Sequence, residues 1–72
     1  MPSRSLSPIE LKVLTLFAHG KSTEEIGEAV NLHKGAVQNH LRVAVRKLGA
    51  TNRVHAAVIA TNLGLIKTLK HA

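Results

Sequence analysis

The chain has 72 residues, the length of one small domain, and it contains no cysteine for a disulfide or a zinc–thiolate site. Ten Lys and Arg outnumber four Asp and Glu, giving a net charge of +6. No apolar run reaches the ~20 residues that span a bilayer, and the N-terminus lacks the apolar core of a signal peptide. We expect a single domain over residues 1–72, with its core at about 6–66, in a cytoplasmic protein.

The charge is distributed unevenly along the chain. The first 28 residues hold three basic and all four acidic residues, a net charge of −1, whereas the other 44 hold seven basic and no acidic residues, a net charge of +7. A basic half of this kind is the electrostatic pattern expected of a protein that binds phosphates. The alternative, a basic surface that only keeps the protein soluble, leaves the one-sided distribution unexplained.

A first helix is predicted from its boundary signals. Ser7 is expected as the N-cap and Pro8 as the first helical residue, while Glu10 completes a capping box. The helix should run to residue 18 or 19, because Gly20 is a typical C-terminal stop.

A second, shorter helix is predicted over residues 23–30 by another capping box, formed by Ser22 and Glu25. The backbone N–H groups at its start, with Lys21 and Ser22 beside them, could face a DNA phosphate. The capping box could equally serve only as a cap, and the two interpretations are compatible.

The third predicted helix, residues 34–48, follows a short turn at residues 31–33 and has two distinct faces. Its apolar face consists of Val37, Leu41, Ala44, Val45 and Leu48. Its opposite face consists of Gly35, Gln38, Asn39, Arg42 and Arg46. Amide and guanidinium groups hydrogen-bond base edges in the DNA major groove, and glycine permits close approach of the backbone. The second and third helices therefore indicate a helix-turn-helix with its recognition helix.

A last helix is predicted over residues 53–63, after Gly49 ends the third helix and Thr51 or Asn52 provides a cap. It has two apolar stripes, although a small helical core needs only one of them. One stripe consists of Val54, Ala57, Val58, Thr61 and Leu65. We expect the other to form a self-association surface, namely Ala56, Ile59, Ala60 and Leu63. The alternative is an apolar helix with no partner.

These features together resemble the LuxR-type (GerE-like) DNA-binding domain over about residues 6–66. The matching pieces are Leu-Ser-Pro-x-Glu at 6–10, Val13-Leu14, Ala18-x-Gly20-Lys21-Ser22, Glu25-Ile26, Val37-x-x-His40, Arg46-Lys47-Leu48-Gly49 and Arg53. The resemblance implies an all-α, four-helix tetrahelical helix-turn-helix, similar to a winged helix without the wing. It also implies binding to double-stranded promoter DNA, as a homodimer joined through the last helix. Because the second stripe of that helix is small and made largely of alanine, we expect the isolated domain to dimerise only on DNA.

The resemblance also implies roles for individual residues. Base-edge contacts fall on Gln38, Asn39 and Arg42, which already share the polar face of the third helix. Phosphate contacts fall on Ser22, Thr23, Lys34, His40, Arg46 and Lys47, to which the capping-box argument adds Lys21.

Two residues depart from the family pattern at the start of the third helix. The family usually has Thr where this chain has Ala36, so one phosphate contact is expected to be lost. It usually has Ser where this chain has His33, and imidazole is expected to cap less well than a hydroxyl. Members usually carry a preceding regulatory domain, and the ending at residues 61–66 resembles the quorum-sensing branch.

Rival functions have weaker support. No triad order, phosphate-binding glycine loop or paired carboxylates indicate an enzyme, and no two histidines are spaced to offer a metal pair on one helix. We expect no cofactor, no metal, no small-molecule ligand and no membrane partner. The main alternative is an anti-activator that pairs with a full-length homologue through the last helix and does not need Gln38, Asn39 and Arg42.

Overall fold

The computed structural model describes residues 5–67. Over this range the chain forms four helices and no strand: α1 Pro8–Ala18, α2 Thr23–Val30, α3 Lys34–Leu48 and α4 Arg53–Asn62. The all-α fold is as predicted, and only α4 ends one residue before its expected limit. None of these helices is long and apolar enough to cross a membrane. The ends of the predicted domain, residues 1–4 and 68–72, lie outside the described range.

Reciprocal hydrogen bonds define the starts of α1 and α2. The Ser7 hydroxyl accepts the Glu10 N–H at 3.2 Å, and the Glu10 carboxylate accepts the Ser7 N–H at 2.9 Å. Ser22 and Glu25 repeat this arrangement at 3.1 and 2.8 Å. Each box satisfies two N–H groups that a helix start otherwise leaves without a partner, which is why both boundaries could be predicted.

The core lies around α3, which packs against each of the other three helices. The buried apolar residues come from all four helices and from the segment after α4: Val13, Leu14, Ile26, Val37, Leu41, Ala44, Leu48, Ala56, Ala60 and Ile66. Four of the five residues on the predicted apolar face of α3 belong to this set, and Val45 packs against it. Burial of that face fixes the rotation of α3 about its own axis.

The turn between α2 and α3 depends on a glycine inside α2. A Cβ added at Gly27 would lie 2.5 Å from the Leu32 carbonyl oxygen, which is too close for any side chain. The Leu32 N–H in turn donates to the Gly27 carbonyl at 2.9 Å. Asn31, with φ at 60°, lies between them in the left-handed region. This close contact lets α3 begin with only three residues between it and the end of α2.

The two apolar stripes of α4 are arranged oppositely to the prediction. Ala56 and Ala60 are fully buried against the other helices, so the prediction that they lie in a dimer interface is wrong. Val54 and Val58 are instead 62% and 51% exposed. Alanines fit the buried side because a small side chain allows a helix to approach its neighbours closely, as Ala44 does on the facing helix.

The other two predicted interface residues differ from those alanines. Ile59 is half-buried and packs against the core, whereas Leu63 is 43% exposed just after the last turn of α4. Leu63 is therefore the one member of the predicted set with an exposed apolar side chain.

Candidate nucleic-acid interface

The outward side of α3 carries the polar residues predicted to contact bases. We call Gly35, Gln38, Asn39 and Arg42 the reading face. Asn39 and Arg42 are exposed and Gln38 is half-buried. Gln38 and Arg42 are four residues apart, a rise of about 6 Å, so their side chains lie one above the other along the helix. The buried opposite face holds these side chains outward together.

His33 is the N-cap of α3, and its imidazole performs this role directly. The Nδ1 atom accepts the Ala36 N–H at 3.2 Å, and the backbone has the extended conformation typical of an N-cap. The expected cap is thus present with an unusual acceptor. Ala36 itself offers no side-chain hydroxyl for a phosphate, as the sequence indicated.

The position of the His33 ring was not predicted. A Cβ built on Gly35 would lie 3.3 Å from Nδ1 and 3.4 Å from Cε1 of His33. The ring therefore covers Gly35, at the N-terminal end of the reading face. The order His-x-Gly at a helix start is a signal that could have indicated this arrangement, because glycine leaves room for a ring folded back over the first turn.

Most predicted phosphate-contacting residues lie at the surface around α3 and the start of α2. Lys21, Ser22, Lys34 and Arg46 are exposed, whereas Thr23 and His40 are half-buried. The Ser22 hydroxyl accepts the Glu25 N–H, and its own O–H is directed to the Glu25 carboxylate, so a phosphate would have to compete with that carboxylate for this donor.

A carboxylate lies at the same end of α2. The Ser22 N–H, with smaller contributions from the Ser22 hydroxyl and from Lys21, holds the pKa of Glu25 below its ordinary value. Glu25 is therefore negatively charged at neutral pH. A phosphate at this helix end would be attracted only by Lys21 and by the backbone N–H groups, against the charge of Glu25.

Lys47 is the exception among the predicted phosphate contacts. Its ammonium lies 2.8 Å from a carboxylate oxygen of Glu10 and 3.4 Å from the Ser5 carbonyl oxygen. Burial alone would raise the pKa of Glu10, but hydrogen bonds from Lys47 and Ser7 outweigh it and lower the pKa. Lys47 thus joins α3 to the start of α1, and the structure does not support its predicted phosphate contact.

A second surface lies on the outer side of α4. Val54, Ala57, Val58 and Thr61, which we call the outer stripe, border an apolar groove. The end of α1 forms the other wall of this groove with Phe17, Ala18 and Gly20. The Arg53 guanidinium lies 5.9 Å from the centre of the Phe17 ring and ties the start of α4 to α1.

Known proteins share both the sequence pattern and the fold. The model of the bacterial regulatory proteins of the luxR family (GerE) matches residues 4–60. Over 59 residues the chain is 44% identical to the transcriptional activator protein BjaR1 of Bradyrhizobium diazoefficiens, a match that covers 82% of this chain and 24% of the relative. The response regulator RamR of Streptomyces coelicolor is 44% identical over 59 residues, which is 82% of this chain and 29% of that protein.

A solved structure of the transcription factor GerE has the same fold. It matches with a TM-score of 0.82 and 28% identity, covering 89% of this chain and 97% of that one. The chain thus spans only 24% and 29% of the two regulators above, but nearly all of the GerE structure. The predicted four-helix, GerE-like architecture is confirmed.

Proposed function

Since this chain belongs to the LuxR family of bacterial regulatory proteins, as a DNA-binding domain of a transcriptional regulator, we propose that it reads specific DNA sequences with α3 in the major groove. One observation carries the proposal. The buried apolar face of α3 directs Gln38, Asn39 and Arg42 outward as one group. An Arg and two amides on one exposed helix face are chemically suited to base edges.

The reading residues have distinct roles in this proposal. The Arg42 guanidinium can donate two hydrogen bonds to the O6 and N7 atoms of a guanine, whereas the amide of Gln38 or Asn39 suits an adenine. Lys21, Lys34 and Arg46 contact phosphates and hold the helix in register without reading sequence. The basic second half of the chain supplies the attraction that does not depend on sequence.

We also propose that two copies bind DNA together through the outer stripe. Val54 and Val58 are the most exposed large apolar side chains of the described residues, and they lie one turn apart on α4. A stable dimer usually buries ~800 Å² on each partner, and two valines with their neighbours supply less. The copies therefore pair on DNA, with half-sites one helical turn, ~10 bp, apart.

A protein-interaction module is the second candidate, and the outer stripe is the observation that favours it. Such a module would pair with a full-length homologue through Val54 and Val58 and would not need Arg42. We place the protein in the cytoplasm and, on the ending at residues 61–66, in the quorum-sensing branch. A transcriptional activator and a response regulator are equally identical to this chain, so the branch rests on that ending alone.

Selection of bound duplexes from a random DNA pool tests the proposed function. We expect a motif with two-fold symmetry, whose binding constant falls with salt at a log–log slope of about −5 for about six phosphates. An unenriched pool with a slope near zero would contradict DNA binding and leave the interaction module as the better function.

A further inference from the structure

The reading face has no side chain at its N-terminal end, because residue 35 is glycine. The space beside Gly35 is occupied by the His33 ring, whose Nδ1 and Cε1 atoms lie within 3.4 Å of the position that a Cβ would take. The imidazole thus lies against the position that a side chain of residue 35 would take, at the N-terminal end of the reading face.

The cap determines which ring nitrogen carries the proton. Nδ1 accepts the Ala36 N–H at 3.2 Å, so it must be unprotonated. In the neutral imidazole the proton then resides on Nε2, which becomes a hydrogen-bond donor. Because His33 is exposed and precedes α3 directly, this donor lies at the helix end that enters the groove in helix-turn-helix proteins.

We propose that His33 is a further DNA-contacting residue, which caps α3 through Nδ1 and donates from Nε2 to a hydrogen-bond acceptor of the duplex. The inference rests on the proposed docking of α3 in the major groove. The acceptor is an atom of the kind found on base edges, such as guanine O6 or N7 and thymine O4, or on a phosphate. A serine cap could accept the same backbone N–H without bringing a ring nitrogen to this place.

The position of the His33 ring depends on the absence of a side chain at Gly35. A Cβ at position 35 would be closer to the ring than ordinary van der Waals contact allows, so the ring would have to move by a few tenths of an ångström. The glycine gives up the helix propensity that alanine would provide at an exposed position. Its missing side chain instead leaves room for the His33 ring, whose Nε2 atom is the proposed donor.

The first test is the tautomer of His33 in the full chain. Nitrogen-15 NMR of the labelled protein, above the titration range of imidazole, should show Nε2 protonated and Nδ1 unprotonated. The opposite tautomer would overturn the proposal, because Nδ1 could then not accept the Ala36 N–H.

The second test separates the cap from the donor. His33→Ser retains a capping oxygen but offers no group at the position of Nε2, whereas His33→Asn has a carbonyl to cap and an amide to donate. We expect His33→Ser to bind the selected duplex about threefold to tenfold more weakly although its Tm should not fall, and His33→Asn to recover part of the loss. Equal affinity of His33→Ser and the wild type would overturn the proposal, as would an Asn variant no better than the Ser variant.

Two duplexes identify the acceptor. A loss confined to the selected duplex indicates a base edge, while an equal loss on a scrambled duplex indicates a phosphate. If the wild type itself binds no selected duplex, the proposed function fails as a whole. If the wild type binds the selected duplex, but His33→Ser binds it equally well or His33→Asn binds it no better than His33→Ser, only this inference fails.

Gly35→Ala provides the matched control. In the chain that retains His33, the added Cβ displaces the ring and should lower DNA affinity, although helix content should not fall. In the His33→Ser background the same substitution meets no ring and should lower affinity less, because the loss that remains there comes only from the Cβ itself on the reading face. An identical effect of Gly35→Ala in both backgrounds would show that the ring does not contribute to binding.

Discussion

The helices α3 and α4 differ in how far their sequences determine which side is buried. In α3, apolar residues lie on one side and polar residues on the other, so the inward face was predicted correctly. In α4, both sides are apolar, and the prediction placed Ala56 and Ala60 at the surface although they are buried. Hydrophobic periodicity thus orients a helix only when its opposite face is polar.

Packing against the neighbouring helices determines which apolar stripe of α4 is buried, because hydrophobic periodicity alone does not. Ala56 and Ala60 are buried, although Val54 and Val58 would remove more apolar surface from water. Ala56 and Ala60 are fully buried, and the close packing that small side chains allow between helices compensates for the smaller area. Alanine repeated at a spacing of four residues on a two-sided apolar helix therefore indicates a packed contact.

The largest expected effect tests the burial of Ala56 and Ala60 in α4. Ala60→Asp places a carboxylate in the core without a partner or the space to hold it, and should cost several kcal/mol, enough to unfold so small a domain. Thermal unfolding followed by circular dichroism measures it. A cooperative transition near the wild-type Tm would mean that α4 is oriented the other way.

Val58→Asp is the matched change on the outer stripe. Its side chain is 51% exposed, so helix content and Tm should change little. Binding to a duplex with two half-sites should weaken by more than tenfold, because the charge prevents pairing of two copies, while binding to a single half-site should persist. Equal loss on both duplexes would place the partner contact away from α4.

A smaller effect separates two neighbouring cations of α3. Lys47→Met breaks the ion pair with Glu10, which is only partly screened by solvent, and should lower the free energy of unfolding by about 1 kcal/mol. The salt slope of DNA binding should change little. Arg46→Met should instead leave stability nearly unchanged and flatten the slope by about one. The reverse pattern would indicate that Lys47, and not Arg46, contacts a DNA phosphate.

The smallest expected effect is the pH dependence of the same ion pair. The folded pKa of Glu10 lies below its ordinary value of 4.5, so this carboxylate contributes stability above that pH. The contribution should disappear as the pH falls below 4.5 through the folded pKa, and Glu10→Gln should reduce this acid-dependent loss. Urea unfolding at several pH values measures it, and equal acid sensitivity of the variant would contradict the assignment.

Local signals made much of the fold predictable. Ser7, Ser22 and Gly49 mark helix ends through bonds to residues close in sequence, and the structure has each as expected. The reading face followed from the periodicity of α3. The bond between Lys47 and Glu10 joins residues 37 positions apart, and no local pattern reports it. The orientation of α4 and the ring over Gly35 likewise depend on the space that neighbouring groups leave.

Competition binding with Arg42→Ala tests the central claim, that the outward face of α3 reads bases. Against a selected and a scrambled duplex, Arg42→Ala should lose about 1–3 kcal/mol on the selected one and little on the other beyond one lost charge. Lys34→Ala, an exposed cation at the start of the same helix, should weaken both alike. If Arg42→Ala leaves the ratio of the two affinities unchanged, Arg42 reads no base and the face assigned to DNA is wrong.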